Sequence, residues 1–156
     1  MNIFYLDRDP FTAARYHCDK HVVKMILETA QLLSTAHHLC DTVVDRDILY
    51  RPTHANHPSA VWVRQSNSNY QWTWELLYAL GREYEERYGK IHLSIKKLLD
   101  PLADLPELPN EHRTDPPQCM PDYCKRSDTV EAYRSYYRME KANFAKWAYS
   151  PTPEWM

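Results

Sequence analysis

Only two residues of the 156 are glycine, Gly81 and Gly89, where ordinary usage of about 7% would supply roughly 11. Phosphate-cradling loops and dinucleotide-binding turns need glycines a few residues apart, because only glycine lets the backbone approach the phosphate. A single pair, at positions 81 and 89, cannot write either motif. ATP- or NAD-dependent chemistry on the usual folds is thereby excluded, and no nucleotide cofactor is expected. Tight β-hairpins also draw on glycine for their positive-φ positions, so a hairpin-rich fold is disfavoured. What remains is a chain built mainly from helices.

The apolar spacing supports this. Residues 2–6 (NIFYL) read as one short extended segment, a strand by composition. Asp9-Pro10 has the form of an N-cap and first helical residue, opening a short helix over about 10–18. A second helix over 19–40 places Val22, Met25/Ile26, Leu32/Leu33, Ala36 and Leu39/Cys40 on one stripe. Residues 41–57 are polar and irregular. Pro58 restarts a helix, SNSN at 66–69 interrupts it, and a long helix over 69–88 ends at Gly89. A further short helix over 91–100 is expected to stop at Pro101. The segment 101–126 holds six of the 11 prolines and has no periodicity, which predicts a loop of unusual length. Asp128 with Glu131 forms a capping box for a last helix over 129–148. The expectation is one all-α domain over 1–156, with a short N-terminal extended segment and a long proline-rich loop.

Hydrophobic residues at 44% and charged residues at 26% are ordinary for a globular chain. No apolar run approaches the roughly 18 residues that a membrane span needs. The opening MNIFYLDRDP lacks a secretory signal pattern, so reduced cysteines and a cytoplasmic location are expected. The formal charge is −2, so any polyanion would be held by local cations.

Three groupings of residues could carry chemistry. In the run from Tyr16 to His21, which includes Asp19, His17 and His21 share one side of a helix with Glu28 at the edge of the apolar stripe, where a partly desolvated carboxylate suits acid or base work. The same pattern equally describes a solvated face with Glu28 paired to Lys24. His17 and His21 could chelate an ion, but HCDKH is not HExxH and the cysteines lack zinc-site spacing, so no metal is expected. The last helix carries Arg134, Arg138 and Lys141 on one stripe, beside Tyr133, Tyr137 and Phe144. Cations beside aromatic faces suit phosphates and unstacked bases, or else the aromatics are core. His54, Asn56, His57, Arg64, Asn67 and Asn69 either line a pocket or cap helix ends.

The run Asp19-Lys20-His21, then six residues, then Glu28, resembles the start of the phage-type pyrimidine-dimer DNA glycosylases of the endonuclease V kind. The aromatic and basic YRSYYRMEKANFAKWAY is loosely similar to that family's C-terminal end. The chain also looks like small proteins of tailed phages, some of which accompany enzymes that modify thymine in DNA. The resemblance implies an all-α fold, DNA as partner, no cofactor, the α-amine of Met1 as nucleophile and Glu28 as the essential carboxylate. For a phage protein it places the chain in the host cytoplasm. His21 would orient Glu28 or contact phosphate. His17, Asp19, Arg64, Arg134, Tyr137, Arg138 and Lys141 would touch nucleic acid. The chain has Leu27 where that family has an arginine, and it is slightly acidic where the family is basic.

An α-amine suits the role: its ordinary pKa of about 7.7–8.0 leaves a useful fraction unprotonated at neutral pH, against about 10.4 for lysine. The expectation is a glycosylase with lyase chemistry, with Glu28 beside the Met1 amine. Two alternatives stay open: transfer of an amine onto an activated pyrimidine, and a small binding protein without catalysis.

Overall fold

A computed structural model describes residues 1–156. The fold is all-α. Six helices follow in order: α1 (Pro10–Tyr16), α2 (Asp19–Leu39), α3 (Pro58–Val63), α4 (Asn67–Tyr88), α5 (Leu93–Ala103) and α6 (Thr129–Tyr136). Helix α4 is the hub, with α1, α2, α3 and α5 all packed against it. One cluster of 30 buried residues runs through these contacts. No helix is long and apolar enough to cross a membrane, and all four cysteines are free.

Local signals account for the helix ends. The Asp9 carboxylate accepts the Thr12 N–H ahead of Pro10, and Asp128 accepts the Glu131 N–H ahead of α6. Ser66 caps α4 from the Asn69 N–H, so SNSN starts a helix where the sequence suggested only an interruption. Gly89, at φ 68°, supplies the left-handed turn that closes α4. Gly81 serves packing: a Cβ there would stand 2.7 Å from Ile95 Cδ1, so its absence lets α5 settle on α4.

Four sequence expectations are corrected. Residues 2–6 form no strand. Ile3, Phe4, Tyr5 and Leu6 are all buried, and several of their backbone groups are met by a tight turn and by side chains rather than by a neighbouring strand. The Leu6 N–H donates to Phe4 O, the Ile3 N–H to Asn2 Oδ1, and Arg134 Nε–H donates to Leu6 O. Phe4 packs on Tyr133 and Tyr137 while Tyr5 packs on Trp72 of α4, so the segment is a plug between α6 and the helical hub. Helix α5 runs through Pro101 to Ala103: the proline gives up one i→i−4 hydrogen bond, and the buried Leu102 holds that turn in the core. Its Leu102 carbonyl accepts the Tyr70 hydroxyl.

The third correction concerns the C-terminal helix. Regular α geometry ends at Tyr136, a π-helical turn spans Tyr137–Lys141, and the chain then leaves the helix. Arg138 and Lys141 lie within this wider turn, so they do not continue from Arg134 the stripe that regular α spacing would give. The fourth concerns His17, which caps the end of α1 and so does not share the face of α2. The proline-rich segment is ordered by side-chain ties. Trp62 Nε1–H donates to Thr114 Oγ1, Asn69 Oδ1 accepts the Thr114 N–H, and Arg113 and Asp115 hold the Tyr5 hydroxyl.

Candidate functional site

Along α2, His21, Lys24, Met25 and Glu28 follow at i, i+3, i+4 and i+7, which places them on one stripe. This stripe forms one wall of a cavity of about 240 Å³. The N-terminal residues Met1, Asn2 and Phe4 form a second wall, Tyr136 and Lys141 a third, and His57 and Cys119 complete the rim. Larger depressions of about 410 and 460 Å³ lie at Asn67–Arg113 and Asn56–Pro117, but neither pairs an amine with a carboxylate.

The Met1 amine stands 4.0 Å from Glu28 Oε2. That is an ion pair, too long for a direct hydrogen bond. The other oxygen of Glu28 faces Lys24 Nζ at 3.6 Å. Glu28 is only 16% exposed while Lys24 is 61% exposed, so the lysine lies in solvent and the carboxylate is in the cleft. Both Glu28 pairings that the spacing allowed are therefore present together.

The amine is fixed by its neighbour. Asn2 Nδ2–H donates to the Cys119 carbonyl at 2.9 Å, and Asn2 Oδ1 accepts the Ile3 N–H at 2.9 Å. The Tyr133 hydroxyl, which donates to Pro117 O, lies 3.1 Å from the same Oδ1. The long loop thus anchors the first two residues against α6.

His21 is buried at 5% exposure, stacked on Phe4 with ring centroids 4.4 Å apart. Its Nδ1 lies 2.6 Å from the Tyr137 hydroxyl, its only hydrogen bond, so it does not orient Glu28. Burial, then the neighbouring His17 and the charges of Lys141, Lys24 and Lys20, pushes its pKa down to about 3. His57 accepts the Ser59 N–H at Nδ1, capping α3. Burial lowers its pKa, and the charge at the N-terminus adds to the effect. Lys141 Nζ lies 4.6 Å from the centre of the Tyr136 ring, and Lys20 Nζ lies 4.8 Å from that of Phe144.

The other residues expected to touch nucleic acid go elsewhere. His17 is fully buried, with Nδ1 2.7 Å from Ala13 O, and burial lowers its pKa to about 4. Tyr137 is fully buried too. Neither has surface to offer a ligand. Asp19 binds Arg87 at 3.1 Å and accepts the Ala148 N–H at 2.8 Å, tying α2 to α4 and the C-terminal segment. Arg134 is spent on Leu6 O and Asp7, and Arg138 on Glu131 and Trp155 O. Arg64 lies at the end of α3 near Cys40 and does not line the cavity. Of that set, only Lys141 joins Met1, His21 and Glu28.

Sequence reasoning missed Asn2, Phe4, Tyr136 and Cys119 as lining residues, and left His57 undecided. Lys24 was legible from its i−4 spacing to Glu28. Nothing local could have brought Cys119 or His57 to the N-terminus. No three His, Cys, Asp or Glu side chains converge as a metal-binding group. Comparison with known protein families, curated proteins and solved structures finds no match to this chain.

Proposed function

We propose that this chain is a DNA glycosylase with associated lyase chemistry, in which the Met1 α-amine is the nucleophile and Glu28 the acid–base group. The observation that carries the reading is the amine 4.0 Å from a largely enclosed carboxylate, at a cavity that two lysines and two aromatic rings border. An amine held next to a base is an activated nucleophile. The cavity, about 240 Å³, is below the usual range for drug-sized ligands and suits one sugar or base, with the rest of the strand outside.

In the reaction, the unprotonated Met1 nitrogen attacks the anomeric carbon of a nucleoside. The N–C bond forms as the glycosidic bond breaks, and the base departs with the bonding pair and takes up a proton. Glu28 stabilises the cationic sugar, accepts the amine's proton and passes it to the ring oxygen as the ring opens to an iminium, which returns Glu28 to the carboxylate. Glu28 then removes a proton from the adjacent carbon, the bond to the 3′ phosphate oxygen breaks, and the phosphate leaves. Water releases the amine by hydrolysing the imine. Lys24 and Lys141 face the phosphates, and the half-buried Tyr136 offers an aromatic edge to the cavity.

Borohydride trapping tests this directly. Incubation with an abasic-site oligonucleotide and borohydride should yield a covalent adduct that peptide mapping places on the Met1 nitrogen. Acetylation of that amine should abolish it. Absence of an adduct with abasic and dimer-containing DNA alike would remove the lyase. Undiminished DNA binding would then favour pyrimidine amine transfer or a non-catalytic role.

A further inference from the structure

The hydrogen bonds around Tyr137 determine which nitrogen of His21 carries the proton. The Cys18 N–H donates to the Tyr137 hydroxyl oxygen at 3.4 Å, so that oxygen already acts as an acceptor. The hydroxyl proton has two possible destinations, His21 Nδ1 at 2.6 Å and Cys18 Sγ at 3.9 Å. A close imidazole nitrogen outcompetes a distant thiol, which is a weak acceptor. His21 Nδ1 therefore accepts, and a neutral ring must then carry its proton on Nε2. Nδ1 is occupied by the buried tyrosine, which leaves Nε2 as the ring nitrogen available to the cavity that His21 lines.

His57 shows the same pattern with no ambiguity. Its Nδ1 accepts a backbone N–H, from Ser59 at 3.1 Å, so neutral His57 also carries its proton on Nε2. Lys24, Lys141 and the Met1 amine are donors as well. The amide of Asn2 is spent on Cys119 O and the Ile3 N–H. Glu28 is left as the carboxylate acceptor among a set of donors.

We propose that Tyr137 is a positioning residue that fixes His21 as a neutral Nε2–H donor, so that the cavity receives an acceptor oxygen of an anionic sugar phosphate there. His21 is thus a binding group, and Glu28 alone handles protons. This rests on the cavity being the glycosylase site, but the tautomer itself does not.

Two-bond proton–nitrogen correlation spectra of histidine-labelled protein at neutral pH read the tautomer without turnover. The expected His21 signature is an unprotonated, hydrogen-bonded Nδ1 and a protonated Nε2. The opposite tautomer, or an even exchanging mixture, overturns the proposal. Tyr137→Phe keeps the ring and removes the hydroxyl, so it should turn one tautomer into a mixture while the amide spectrum stays native-like. An unchanged single tautomer in that variant overturns the positioning role.

His21→Gln places an amide N–H near the Nε2 position, whereas His21→Asn places one near Nδ1. In the borohydride assay, half-saturation by abasic DNA should stay within a few-fold for His21→Gln and rise about tenfold for His21→Asn, the scale of one lost hydrogen bond. Equal weakening in both overturns the donor role. If the wild-type protein traps nothing, the glycosylase reading falls and takes the sugar-phosphate assignment with it, while the spectra still decide the tautomer.

Discussion

Acidification from pH 7 to pH 5 should destabilise this protein well before its carboxylates titrate. His17 and His21 are buried and held neutral, with pKa values pushed down to about 4 and about 3. In the unfolded chain both return to about 6.5. Between those values the unfolded state binds more protons than the folded state, so stability rises with pH. The stabilisation is complete above about pH 6.5 and is lost as the pH falls towards the folded values. At pH 5 each histidine has forfeited about 2 kcal/mol relative to pH 7, about 4 kcal/mol together, against a typical total of about 5–15. His37, buried and also pushed down to about 4, adds in the same direction. Asp9 and Asp128 have lowered pKa values from their bonds to Thr12 and Arg8, so their stabilisation is lost only below the ordinary aspartate range. Urea unfolding at several pH values from 7 to 5 measures the slope, and His17→Gln should reduce it by up to one proton. A free energy flat across that interval would refute the assignment of these histidines as neutral and buried.

Arg87 is 1% exposed and donates to His17 O, Arg15 O, Asp19 and Glu83. Arg87→Ala should therefore cost about 3–5 kcal/mol in denaturant unfolding, because it strands two partly buried carboxylates. Gly81→Ala should destabilise by about 1–3 kcal/mol, offset in part by about 1 kcal/mol of helix propensity. In an Ile95→Ala background, where the side chain lying 2.7 Å from the new Cβ is gone, the same change should stabilise. Glu28→Gln should lower trapping and elimination by about 10²–10⁴-fold while leaving DNA affinity within a few-fold. Lys24→Ala/Lys141→Ala should reduce the slope of log affinity against log salt by about two, whereas Arg138→Ala should leave it unchanged.

The periodic parts of the chain were legible because local chemistry decides them. Asp9-Pro10, Asp128 and Gly89 mark helix ends by capping and backbone freedom, and those signals survive folding unchanged. The N-terminal segment misled because β propensity records side chains that fit a buried surface, and NIFYL is buried without a partner strand. Arg134, which looked like a free cation, satisfies the Leu6 carbonyl that a strand neighbour would have taken. The π turn at Tyr137–Lys141 was illegible for a related reason. Tyr137 sits fully buried against His21 and Cys18 N, a contact between residues more than a hundred apart in sequence. The Glu28 side of the site could be read from helical spacing. The rest of it, Asn2 on Cys119 and His57 beside the amine, depends on where the long loop and α3 come to rest.

The same contacts show why the net charge says little about where unengaged cations lie. The formal charge of −2 averages over cations with different duties. Arg87, Arg134 and Arg138 neutralise carboxylates or cap carbonyls within the fold. Lys24 and Lys141, by contrast, have flexible ammonium groups at the rim of one cavity, and Lys20 stands nearby over Phe144. Arginine's planar fork suits such fixed internal ties, which bind two acceptors at once. Two of the chain's lysines thus border the cavity where the amine and Glu28 meet, while the three arginines hold the fold around it.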